Sequence, residues 1–134
     1  MEQKTTGRTI LLIEPESLMR RTVASVAREL RLANIREMAS VDSANRAVGD
    51  DRFDAILIAL DDSGAALQLM EKVRSGESKC DKAIPMVVMT PRCDAGLVER
   101  LKELSVRRVL VKPFKVKGVL DAIAMSVSAP KIAA

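Results

Sequence analysis

The run AILIALDD, residues 55–62, is an apolar strand pattern that opens onto two carboxylates, Asp61 and Asp62. In parallel α/β folds ligands gather outside the carboxyl ends of the strands, so such an exit is where a reactive group is expected. Here the last strand residues, Ala59 and Leu60, carry none, and the acids come only afterwards. Ahead of Ser63-Gly64 an Asp pair also reads as a solvated turn. The chain has no histidine, which excludes His-based triads, His-rich metal sites and imidazole acid–base catalysis. Cys80 and Cys93 are too few for a disulfide framework and suit a reducing compartment.

At 134 residues the chain is long enough for one domain with its own core. Its 48% hydrophobic and 30% charged residues are ordinary for a globular protein. No apolar run approaches the ~20 residues of a membrane span, and MEQKTTGR has no secretory core, so the expected location is cytoplasmic. With neither Trp nor Tyr and only Phe53 and Phe114, there is no base-stacking platform. The net charge of +4 is spread along the chain, as a solvated surface would have it rather than a nucleic-acid footprint.

The elements that must position any site alternate strictly. Strand patterns at 8–13, 34–39, 54–59, 84–90 and 107–111 are each followed by a helical pattern, at 16–33, 40–51, after Gly64, at 94–104 and at 116–127. In the first helix Met19, Val23, Val26, Ala27 and Leu30 fall on one face, with Arg20, Arg21, Arg28 and Glu29 opposite. This alternation implies right-handed crossovers and a parallel sheet covered on both faces, a doubly wound α/β domain over 8–128. Short tails at 1–7 and 129–134 are expected to flank it.

Four segments then resemble, in order, the receiver domains of bacterial two-component response regulators: ILLIEPESLMRR, FDAILIALDDSG, IPMVVMT and VLVKPF. The resemblance runs from about Arg8 to Val127 and implies a flavodoxin-like (βα)5 fold with sheet order 2-1-3-4-5. It also implies phosphoryl transfer to an Asp ending the third strand, with Mg²⁺ held by that Asp and an acidic pair after the first. A carboxylate attacking phosphate needs a cation to neutralise the incoming oxygens and a Lys to share the charge.

Carried over position by position, Glu14 stands at the first acid of the pair and Pro15 at the second. Ala59 stands at the phosphoacceptor, Thr90 at the switch hydroxyl, Lys112 at the conserved cation and Pro113 at the proline that follows a cis bond in the family. Val109 replaces the aromatic that rotates on activation, and Arg107-Arg108 replace the acids before it. An alanine forms no acyl phosphate, and Glu14 alone would hold Mg²⁺ weakly. The resemblance is therefore to a pseudo-receiver, with no catalytic residue, no cofactor and no metal expected.

Several readings stay open. Glu14 is either a remnant metal ligand or an acid suited to the start of the first helix. With Ala59 opposite, family geometry makes Glu14 the nearest anion for Lys112, a standing ion pair. Thr90 is either the switch hydroxyl or a side chain that satisfies backbone groups at a strand end. Asp61 or Asp62 as a displaced acceptor is the alternative to a silent domain. Arg100, Lys102, Arg107, Arg108, Lys115 and Lys117 fall in the fourth helix, fifth strand and fifth helix, the family's dimerisation and output face. They are either a solvated surface or a basic face that steers an acidic partner. The expected partner is a histidine kinase, a phosphotransfer protein, another regulator or a second copy, with no membrane. Nucleic-acid binding through that face ranks last, for want of stacking aromatics or an appended helix-turn-helix.

Overall fold

The computed structural model describes residues 7–61 and 63–128. Asp62 and all of the expected tails except Gly7 lie outside the described residues. Five strands and five helices alternate: β1 (Thr9–Ile13), α1 (Ser17–Glu29), β2 (Asn34–Met38), α2 (Val41–Asp50), β3 (Ala55–Ala59), α3 (Ala65–Arg74), β4 (Met86–Thr90), α4 (Ala95–Glu103), β5 (Arg108–Val111) and α5 (Val116–Ser128). All neighbouring strands pair in parallel, in the order β2-β1-β3-β4-β5.

The register explains why β1, β3 and β4 are nearly all apolar. Ile10 pairs with Ile35 and Ala55, and Ala59 with Met89, so both faces of the central strands are covered by helices. Leu11, Ile13, Ile56, Ile58 and Val88 pack beneath α2, α3 and α4. Ile10, Leu12, Leu57, Ala59 and Met89 pack beneath α1 and α5. Period-2 alternation along each strand thus feeds two cores.

The helix limits follow local chemistry. Ser40 and Asp94 cap α2 and α4 by accepting from Ser43 N (3.2 Å) and Leu97 N (2.8 Å). Gly64, at φ 79°, supplies the left-handed entry to α3. The first helix is shorter than its apolar pattern. It stops at Glu29, and Arg31 turns left-handed (φ 56°) while Leu32 N bonds Ala27 O at 3.0 Å. Leu30, at the C-cap, is 58% exposed, and Val23, Ala24 and Ala27 form the buried stripe instead. Arg20, expected outward, is turned in: Nη1 donates to Glu14 O at 2.9 Å and Nε lies 3.5 Å from Glu37. No helix among the described residues is long and apolar enough to cross a membrane.

Candidate functional site

The parallel strands bring Glu14, Ala59, Thr90 and Lys112 to the carboxyl edge of the sheet, although 98 residues separate the first from the last. Glu14 follows β1, where its N–H donates to Met38 O at 3.0 Å and continues the β1–β2 ladder. Its side chain is buried, at 2% exposure, and would be costly there as an unpaired charge. Lys112 Nζ supplies the partner, donating to Glu14 Oε1 at 2.6 Å. Oε2 accepts from Glu16 N at 3.3 Å. Lys112 itself is held by its N–H to Thr90 O (2.7 Å) and precedes a cis bond to Pro113.

Ala59 ends β3 at 7% exposure and packs with the α1–α5 core. Thr90 is buried at the end of β4, and its hydroxyl donates to Arg92 O at 2.8 Å, closing the β4–α4 turn. Val109 is half-buried against the α2–α4 core. Pro15 is exposed at the turn into α1.

Asp61 lies past the strand in an Asx turn. Its Oδ1 accepts from Ser63 N (2.9 Å) and Ser63 Oγ (2.5 Å), and Ser63 Oγ accepts in turn from Ala65 N (3.2 Å). The Ser63 hydroxyl, and then its amide, hold the Asp61 carboxyl below its ordinary range. Lys112 pairs with Glu14 rather than with this acid.

The basic residues of the last third do not form one cluster. Arg100 bonds Glu71 on α3 and Glu103 on its own helix, and Lys102 lies 4.0 Å from Glu99. Arg107 and Arg108 stand at the amino end of β5, whereas Lys115 and Lys117 follow its carboxyl end. All four are exposed, with no acidic partner among the described residues.

Sequence reasoning missed Arg74. Its guanidinium donates to Leu104 O, Lys82 O and Ile84 O, each at 2.7 Å, tying the end of α3 to the end of α4 and to the loop before β4. Burial, and then the Arg107 charge, lower its pKa from the ordinary value. Nothing local signals this, since the acceptors are backbone carbonyls brought near only by the fold.

No protein-family model matches the chain, and no curated protein matches it. Solved structures do. The non-phosphorylated HemR receiver domain of Leptospira biflexa superposes with a TM-score of 0.81 at 21% identity, over 92% of this chain and 97% of that one. The Vibrio cholerae chemotaxis protein CheY4 gives 0.76 at 18%, over 88% and 97%. The receiver domain of the sensor histidine kinase PA1611 from Pseudomonas aeruginosa, solved with magnesium in its active-site cleft, gives 0.70 at 23%, over 91% and 98%. The architecture of this chain is that of response-regulator receiver domains.

Proposed function

We propose that this chain, built on the receiver fold of two-component signalling, is a pseudo-receiver that works by binding protein partners and accepts no phosphoryl group at the end of β3. The observation that carries the reading is Ala59, a methyl group at the carboxyl end of the central strand. The rest of the strand-end chemistry supports it. Glu14 is engaged by Lys112, Thr90 by Arg92 O, and Pro15 offers no donor. Such a donor set does not suit Mg²⁺, which takes carboxylates and phosphate oxygens in octahedral geometry. Among the described residues no group of three His, Cys, Asp or Glu side chains is placed to hold a metal. Asp61, bound to Ser63, is poorly arranged as a substitute nucleophile, because in-line attack needs the cation beside it.

Without a phosphoryl signal the domain acts by association. The exposed Arg107 and Arg108 at the amino end of β5, and Lys115 and Lys117 beyond its carboxyl end, offer two separate basic spots. Either suits an acidic face on a histidine kinase, a phosphotransfer protein, another regulator or a second copy, and acts mainly on association rate and specificity. The deciding experiment is incubation with acetyl phosphate and Mg²⁺, followed by intact-mass measurement. No added phosphoryl mass is expected, and its appearance on any residue overturns the reading.

A further inference from the structure

β2 is an outer strand of the sheet, paired with β1 alone. The bonds at its two ends fix which of its backbone groups face β1. Asn34 N–H donates to Arg8 O at 2.8 Å, and Met38 O accepts from Glu14 N–H at 3.0 Å. Every second residue of a parallel strand turns its N–H and C=O to the same side, so Asn34, Arg36 and Met38 serve the β1 ladder. Ile35 and Glu37 turn theirs to the open edge. Such a row of outward groups is a template for another strand unless something closes it.

Arg28, in the last turn of α1, lies across that edge. Its Nη2 donates to Ile35 O at 2.6 Å, and its Nη1 is 3.3 Å from Glu37 Oε2. Glu37 is held from its other oxygen by Arg20, whose Nε is 3.5 Å from Oε1 and whose Nη1 donates to Glu14 O. One carboxylate thus fixes two guanidiniums against the sheet. A bond from a guanidinium to a carbonyl is charge-assisted, and stronger than the neutral amide bond that an incoming strand would offer.

The residues of β2, NIREM, say which pairing this prevents. An antiparallel partner of the same sequence can centre on Ile35, Arg36 or Glu37. Centring on Arg36 or on Glu37 sets like charges directly opposite, which is destabilising. Centring on Ile35 sets Arg36 against Asn34 and opposes no like charges. In that register the two Ile35 residues exchange both N–H···O bonds. The Ile35 carbonyl is therefore the acceptor that self-pairing uses twice, and it is the one that Arg28 occupies.

We infer that Arg28, held by Glu37, closes the β2 edge and stops two copies of this chain from joining their sheets there. The closure is independent of any partner bound elsewhere on the domain.

The test is sedimentation equilibrium of the full chain over a concentration series, with amide hydrogen exchange read at Ile35. Arg28→Ala should self-associate with a constant at least about tenfold above that of the native chain, since a charged hydrogen bond no longer competes in either copy. Its Ile35 N–H should exchange more slowly as concentration rises, and that of the native chain should not. Glu37→Gln, which keeps the shape but loosens Arg28, should move both readouts in the same direction by less, and decides the matter if Arg28→Ala does not fold. Adding Glu37→Pro to Arg28→Ala should abolish the association. The Glu37 N–H takes no part in the β1 ladder, and a proline on an edge strand blocks a new neighbour. Equal association of the native chain and the variants overturns the proposal. So does association without protection at Ile35, or association that survives Glu37→Pro; the exchange at Ile35 decides alone if that double variant does not fold. None of these outcomes touches the phosphorylation reading, which the mass measurement decides.

Discussion

Lys112 donates to Glu14 across 2.6 Å, joining the end of β5 to the end of β1 over the intervening β3 and β4. The carboxylate is almost wholly enclosed and the ammonium about three-quarters so, at 2% and 24% exposure. Such a pair is worth little against an apolar substitute, but breaking it strands a charge. Lys112→Ala is expected to lower unfolding stability by about 1–3 kcal/mol, less than a fully enclosed pair because water reaches the ammonium. Glu14→Leu/Lys112→Leu should recover most of that loss. Urea denaturation of the three proteins checks both, and an unchanged midpoint in Lys112→Ala refutes the first.

Placing a carboxylate at the end of β3 tests how far the strand-end ion pair depends on Ala59. Ala59→Asp sets a second acid beside Glu14, with Lys112 as the cation in common, and like charges at close range disfavour ionisation of both. A loss of about 1–2 kcal/mol is expected. Added Mg²⁺ should restore part of it in Ala59→Asp/Pro15→Asp and not in the native chain. Thermal melts with and without the metal measure this.

The Asx turn predicts a pH signature. Hydrogen bonds from Ser63 depress the folded-state pKa of Asp61, below the unfolded value of about 3.9. Its contribution to stability is therefore fully present above that unfolded value and is lost as pH falls through the lower folded one. Ser63→Ala should move the Asp61 midpoint upward, toward the unfolded value, in an NMR titration of its carboxyl carbon.

The two thiols should differ sharply in reactivity. Cys80 is buried, its Sγ 3.8 Å from Asp51 O, and burial raises its pKa. Cys93 is exposed in the turn before α4. Iodoacetamide on the native protein should label Cys93, with Cys80 labelled only after denaturation, as read by peptide mass mapping.

Arg74 is expected to be the costliest surface-proximal residue to lose. Arg74→Ala leaves Leu104 O, Lys82 O and Ile84 O without their charged donor. A loss of about 2–3 kcal/mol is expected. Arg74→Lys should regain less than half, because an ammonium cannot span acceptors that a planar fork reaches together. Denaturant midpoints of the two variants test the ordering.

Much of this architecture was legible in the residues themselves. Five apolar runs alternating with five amphipathic ones permit few arrangements besides a parallel, doubly wound sheet, because right-handed crossovers must cover both faces. The first helix shows where the pattern misleads. Leu30 has the correct period and is exposed, since a C-cap and the left-handed Arg31 end the helix before it can pack. Arg20 has the wrong period and is drawn inward by a backbone carbonyl and Glu37.

By itself the sequence determined which groups stand at the strand ends: one alanine, one glutamate, one threonine, one lysine. Residue types need no geometry to be read, and an alanine offers no carboxylate in any fold. Only the tertiary structure decided which of those groups meet. It set Lys112 on Glu14, turned Thr90 to Arg92, kept Asp61 on Ser63 and divided a continuous basic stretch between the two ends of β5. The reason is that each pairing depends on which strand ends lie side by side and how the loops leave them. Those are long-range consequences of packing, to which local spacing carries no clue.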